Sequence, residues 1–292
     1  GFRTIFPIPL ALGSTWDEAA VEKMAEISAK EAAVSGLHVT FSPMVDLVRD
    51  PRWGRVMEST GEDPLLNSRL AAAMVRGYQG ENLKEDNWRV AACVKHFAAY
   101  GGALAGRDYN TVDMSERQLR EMYLPGYKAG LDAGAKLVMT SFNTVDGIPA
   151  TGNQWLFRDV LRNEFGFEGV VISDWGAIKE LIPHGVAKDE KQAAELAIKA
   201  GVDIEMMTTC YPDYLKELLE EGRIAETLID EAVMRILKLK NELGLFENPY
   251  RGADEQAEAE VILSKEHREI AKKIAQKSMV LLKNENILPF TP

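Results

Sequence analysis

One unit recurs along this chain: an amphipathic helix, a glycine, then a short apolar run that ends in polar residues. A helix whose apolar residues repeat at three- and four-residue spacing must bury one face. A brief, wholly apolar run reads as a strand covered on both sides. Glycine past a helix end supplies the left-handed conformation that closes the last turn. Strands alternating with helices in this way form a parallel sheet, so the fold class is α/β.

The first helix is expected to open near Ser14, with Asp17 three residues on, close to a capping box. Val21, Met24, Ala25 and Ala32 mark its apolar face, Ser28 shares the stripe, and Gly36 stops it. Val39-Thr40-Phe41 is the strand after it. A second helix opens at the Ser115/Gln118 pair and runs toward Gly134, ahead of Leu137-Val138-Met139. A third ends at Gly201, before Val202-Asp203-Ile204. Two more strands are Val90-Ala91-Ala92-Cys93-Val94 and Gly169-Val170-Val171-Ile172. Five clear strands are fewer than the eight of a (β/α)8 barrel. The expectation is an α/β, TIM-like barrel that is incomplete or irregular, with an open doubly wound sheet as the alternative. A late helix over 226–243 carries Leu228, Ile229, Ala232, Val233, Ile236 and Leu237 on one stripe and ends at Gly244. The polar stretch 248–258 reads as a surface loop, and a last helix over 266–277 precedes the apolar Met279-Val280-Leu281-Leu282. Residues 1–250 are assigned to the barrel, and 251–292 to a C-terminal helix and the start of a linker.

Composition narrows the function. The 292 residues, 46% of them hydrophobic, suffice for one such barrel. A net charge of −11 argues against nucleic acid or an anionic membrane as partner. No apolar stretch is long enough to span a bilayer. Two cysteines, Cys93 and Cys210, imply neither a disulfide framework nor a zinc site, and four histidines without an HExxH pattern argue against a histidine-built metal centre. No metal and no cofactor are expected. The start, Gly1-Phe2-Arg3-Thr4-Ile5-Phe6, carries neither an initiator methionine nor a signal peptide, and 286–292 reads as a linker. The expectation is a piece of a longer polypeptide, which leaves the compartment open. A homodimer is left open.

The residues just past each strand carry the chemistry. The segments are Ser42-Pro43-Met44-Val45-Asp46, Lys95-His96-Phe97, Thr140-Ser141-Phe142-Asn143, Ser173-Asp174-Trp175 and Glu205-Met206-Met207. Polar and aromatic groups therefore gather at one end of the sheet, where α/β barrels keep their sites. Asp174 is the candidate nucleophile, with an aromatic wall in Trp175 suited to the apolar face of a sugar; the bland alternative is an aspartate that caps a turn. Lys95 and His96 would donate hydrogen bonds to sugar hydroxyls, and Lys95 would help keep Asp174 ionised. Two other readings of the pair stay open: a surface lysine beside a core histidine, or a Schiff-base lyase that uses Lys95. Arg55 lies in a charged, aromatic-bearing loop, where it can donate to hydroxyls or pair with Glu58 and Glu62 to hold the loop. Arg107 sits in another loop, after Tyr100-Gly101-Gly102.

At these residues the chain resembles the β-glucosidase branch of glycoside hydrolase family 3. The matching segments include Phe6-Pro7-Ile8-Pro9-Leu10, Arg49-Asp50-Pro51-Arg52-Trp53-Gly54-Arg55, Lys95-His96-Phe97, Ser115-Glu116-Arg117, 138–143, Ser173-Asp174-Trp175-Gly176 and 242–250, in family order. The resemblance implies a retaining exo-β-glucosidase in which Asp174 forms a glycosyl ester. It implies that Arg3, Arg55, Lys95, His96 and Arg107 bind the first sugar, and that Met139 and Trp175 line its site. Phe142 stands where the family usually has tyrosine. Two parts of the family's site are expected outside this chain: a sugar-binding aspartate just upstream, and the acid/base glutamate of a second α/β domain. Relatives acting on N-acetylglucosaminides carry a histidine acid in a Pro-Gly-His loop, and here Phe97-Ala98-Ala99-Tyr100-Gly101 stands instead. A β-xylosidase of the same family and a non-catalytic sugar-binding module remain alternatives.

Overall fold

The structure, a computed structural model, describes residues 2–109 and 111–290. Gly1, and the Thr291-Pro292 end of the expected linker, lie outside the described residues. Pro9–Thr15 forms α1 and Glu18–Ala33 forms α2, which leads into β1 (Val39–Thr40). The expected single helix from Ser14 is thus two. Asp17 is itself the cap of α2, accepting the Ala20 N–H at 2.9 Å, and Trp16 takes a left-handed conformation between the two helices. Then come α3 (Pro64–Gln79), β2 (Ala91–Phe97), α4 (Glu116–Gln118), a π-helical turn and α5 (Leu124–Asp132). Ser115 caps α4 through the Gln118 N–H, as its spacing predicts.

β3 (Leu137–Thr140) precedes a small hairpin of β4 (Thr144–Val145) and β5 (Ile148–Pro149), a helical segment Trp155–Glu164, and β6 (Val170–Ile172). The remaining helices are α6 (Glu190–Ala200), α7 (Cys210–Glu220), α8 (Glu226–Glu242), α9 (Glu255–Val261) and α10 (Lys265–Lys277). Gly201 closes α6 at φ 106°, a conformation that disfavours any side chain. Within the polar 248–258 stretch, Asp254 accepts the Ala257 N–H and nucleates α9, so the expected loop is helical in its second half.

Strand order decides between the two architectures. β1, β2, β3 and β6 pair in parallel and in chain order. Ile204 bridges Ile172, which extends the arc past β6, and Met44 bridges Lys95, which lengthens the pairing of the β1 segment with β2. A doubly wound sheet reverses its order at a switch point. This sheet does not, and the expected α/β, irregular TIM-like barrel is the fold observed.

β2, β3 and β6 each serve two cores. Ala92, Val94, Val138 and Val171 point outward into a large core shared with α2, α3, α5 and α6. Ala91, Cys93, Leu137, Met139, Val170 and Ile172 point inward into a smaller one. The α8 stripe divides between them, Leu228 and Ile229 joining the outer core, Ile236 and Leu239 the inner. Val233 and Leu237, expected on that stripe, are exposed. Each sits one residue past a packed position, about 100° round the helix.

Candidate active site

Alternation along the strands places the central carboxylate. Asp174 continues the inward parity of Val170 and Ile172, and Lys95 continues that of Ala91 and Cys93. Burial pushes the Cys93 thiol up; Lys95 opposes this and Asp174 adds to it, so both charges stand within electrostatic reach of the inner core. Met139 pairs with Ile172 in register and is buried one layer below Asp174.

Asp174 is only 8% exposed. Its N–H donates to Thr140 Oγ1 at 3.1 Å, and its Oδ1 accepts the Trp175 N–H at 2.6 Å. That second bond is the turn-capping role. The other oxygen, Oδ2, is buried and has no hydrogen-bond partner among the described residues. A cap alone does not explain a carboxylate oxygen left in this state, because an unsatisfied buried acceptor is costly.

His96 Nε2 lies 3.5 Å from that oxygen. The histidine is reached where the β2–β3 register shifts between Val94 and Phe97. Its orientation is set from behind by Asp46, which is fully buried. Asp46 Oδ2 accepts from His96 Nδ1 at 2.7 Å and from the His96 N–H at 3.1 Å, and Asp46 Oδ1 accepts the Tyr127 hydroxyl at 2.6 Å. With its proton on Nδ1, the neutral ring offers Nε2 as an acceptor, and Arg55 NH2 lies 3.2 Å away as its donor.

Arg55 is held in turn by two bonds to Glu58, at 2.7 and 2.9 Å. Burial alone would lower the Arg55 guanidinium; the Glu58 bonds and charge outweigh it and hold it above its ordinary value. The same contact lowers Glu58. The loop-bracing reading of Arg55 is seen in its Glu58 bonds, and the same guanidinium faces the histidine. Around this polar group lies an apolar cluster of Met44, Val48, Trp53, Tyr100, Phe142 and Ala177. Trp53 donates from Nε1 to Asp108 at 2.9 Å, and Phe142 stacks on Tyr109 at 4.5 Å between ring centroids.

The structure thus brings Asp174, Lys95, His96, Arg55, Phe142 and Trp175 to the C-terminal ends of the strands, with Met139 beneath. Trp175 is 62% exposed, a wall open to solvent. Arg107 is exposed on the rim, one residue from Asp108. Arg3, expected among the sugar-binding residues, is placed apart from them. Its guanidinium donates to the Glu31 carbonyl at 3.1 Å and to the Ser35 hydroxyl at 2.5 Å, where α2 hands over to β1. That is the opposite end of the strands from Asp174. Asp46, Thr140, Tyr127 and Tyr109 stand around these groups, and of the four the strand-end pattern in the sequence points only to Asp46 and Thr140. Asp46 had a signal, as the last polar residue after the first strand; Tyr127, on α5, had none.

Over residues 1–239 the chain matches the Glycosyl hydrolase family 3 N terminal domain. It belongs to glycoside hydrolase family 3. Among family members, a periplasmic beta-glucosidase of Salmonella typhimurium is 46% identical over 97% of this chain and 37% of its own length. A beta-xylosidase of Formosa agariphila is 38% identical over 99% of this chain and 41% of its own. The beta-glucosidase of Listeria innocua, solved in complex with glucose, superposes at a TM-score of 0.97 with 61% identity, over 99% of this chain and 40% of that one. The chain therefore spans about two fifths of the length of these family members.

Proposed function

We propose that the protein carrying this chain is a retaining exo-β-glucosidase with Asp174 as nucleophile. The observation that carries the reading is Asp174 Oδ2, a buried carboxylate oxygen with no hydrogen-bond partner among the described residues, at the head of an inward-facing strand. That oxygen would attack the anomeric carbon of a terminal β-glucosyl residue. The glycosidic oxygen would leave with a proton from a general acid, and water would then cleave the glycosyl ester with retention. Arg55, Lys95 and His96 would hold the sugar's hydroxyls, Trp175 and Phe142 its apolar face, and Arg107 would reach it from the rim. No cofactor is needed for this chemistry.

The general acid is assigned to a glutamate of a second α/β domain beyond these residues, in keeping with family members more than twice as long. Residues 1–250 are then the catalytic barrel, and 251–292 the passage toward that domain. A 2-fluoro-glucoside with a good leaving group should label Asp174 in the full-length protein. Peptide mapping that finds the label on Asp46, Asp50 or Asp203 overturns the assignment. The fragment alone should be nearly inactive, and robust hydrolysis by it would sink the two-domain account.

A xyloside substrate is the second reading, supported by the beta-xylosidase among the family members; kcat/KM on aryl glucoside against aryl xyloside separates them. Borohydride trapping with a carbonyl substrate tests the Schiff-base use of Lys95, and a glycosidase gives no adduct.

A further inference from the structure

Glu180 is an acidic side chain beside Asp174 that the proposed mechanism leaves idle. It lies on the short helical turn Lys179–Leu181. Its N–H donates to Gly176 O at 3.1 Å, and the Gly176 N–H to Met206 O at 3.0 Å, so the turn folds back over the segment that bears Asp174. Ile178 and Leu181 are buried in the outer core, and Lys179 pairs outward with Glu190. Glu180 takes the remaining face. Its Oε2 is buried and, like Asp174 Oδ2, has no hydrogen-bond partner among the described residues. Burial, then the charge of Asp174, raises Glu180. Burial, then Glu180, Asp174 and Asp108, pushes the Tyr109 phenol up to about 12. The bonds Ala177 N–H to Asp174 O and Glu180 N–H to Gly176 O keep Glu180 on the turn that directly follows Asp174, and its electrostatic effect on Tyr109 accords with that placement.

Glu205 shows what a structural glutamate looks like in this fold. Its carboxylate accepts the Thr208 hydroxyl, the Cys210 N–H at 3.0 Å and the Tyr211 N–H at 2.7 Å, at the start of α7. Glu180 makes no such set of bonds among the described residues. A buried acceptor without a donor is costly unless a ligand supplies one, and a sugar is a dense array of hydroxyl donors.

We propose that Glu180 is a further sugar-binding residue: its carboxylate accepts one hydroxyl of the sugar whose anomeric carbon faces Asp174, along the wall formed by Tyr109 and Phe142. This rests on the function proposed above. The test uses the full-length protein with aryl β-glucosides lacking the 3-, 4- or 6-hydroxyl. In the unsubstituted protein, one deoxy sugar should lose about 10- to 100-fold in kcat/KM, the effect of removing a hydrogen bond to a charged group. In Glu180→Ala the parent glucoside should fall by a similar factor, and that deoxy penalty should shrink to about threefold or less. Glu180→Gln, which keeps the volume, should shrink it in the same direction and covers the case in which the alanine variant does not fold. Unchanged deoxy penalties in Glu180→Gln, with Asp174 still labelled by the 2-fluoro sugar, overturn the Glu180 proposal alone. Absence of label on Asp174 in the unsubstituted protein overturns both.

Discussion

Two buried carboxylate–histidine pairs among the described residues stand at opposite ends of this molecule. Near the C-terminal ends of the strands, Asp46 meets His96 Nδ1 at 2.7 Å. Near their N-terminal ends, Glu31 meets His267 Nδ1 at the same 2.7 Å. What differs is where each network stops. Glu31 also accepts the Thr4 N–H at 2.9 Å, the Thr4 hydroxyl at 2.6 Å and the Leu263 N–H at 3.2 Å. That network is closed, and it ties the N-terminal segment, α2 and α10 together. The Asp46 network passes through the imidazole and opens on Asp174 Oδ2, which waits for a partner. The same pair thus serves as a clasp in one place and, on the function proposed above, as a support for the proposed nucleophile in the other. A closed network should show itself in stability and an open one in catalysis.

The largest effect is expected at the open end. Asp174→Asn should lower kcat of the full-length protein on the order of 10⁴-fold, the scale of losing a nucleophile. Thermal unfolding should be unchanged or slightly improved, because the substitution relieves an unpaired buried acceptor. A variant that loses stability instead would make Asp174 a structural cap.

Next in size is Asp46→Asn. An amide can donate to Nδ1, which moves the ring proton to Nε2 and turns it against the Arg55 donor. We expect kcat/KM to fall by about 10- to 100-fold, the cost of a lost charge-assisted bond. Steady-state kinetics beside a melting curve checks this. Equal damage to both pairs' variants in kcat/KM would break the distinction between support and clasp.

Much of this was legible in the sequence, and the limits are physical. The fold class came from period and punctuation: helix stripes, glycine stops, and apolar runs such as Val170-Val171-Ile172 that allow only a covered strand. Strand order did not, because no local pattern records which strands pair. At the site, Asp174, Lys95 and His96 were visible because a strand end delivers them directly. Glu180 and Tyr127 were not. Tyr127 lies on α5, and its closeness to Asp46 depends on packing between distant segments, whereas Glu180 is near Asp174 along the chain but no local pattern shows which face of its turn it takes. Arg3 is placed elsewhere for the complementary reason: a motif carries a residue's identity but not the direction its side chain takes.

The clasp gives a pH-dependent test. Burial alone would raise Glu31; the Thr4, His267 and Leu263 bonds outweigh it and hold the carboxyl below its ordinary 4.5. A depressed folded value means stability that is complete above about 4.5 and lost as pH falls through the folded value. Glu31→Gln should therefore cost about 1–3 kcal/mol at neutral pH. It should also flatten the fall in stability below pH ~4.5. Denaturant unfolding at pH 7 and pH 4 measures both, and kcat should not move.

The smallest effect is expected at Arg3, and it tests the comparison most sharply. The family resemblance would make Arg3 a sugar ligand, so that Arg3→Ala would raise KM as Arg55→Ala does. The structure ties it instead to the Glu31 carbonyl and Ser35, on the clasp side. Partly exposed bonds of this kind contribute about 1 kcal/mol or less. Arg3→Ala should then lower the melting temperature slightly and leave kcat/KM within about twofold, while Arg55→Ala loses about tenfold or more, because its guanidinium faces His96 beside the proposed nucleophile. If Arg3→Ala matched Arg55→Ala in KM at unchanged stability, the two ends of the strands would be coupled. The closed network could then no longer be treated as separate from the site.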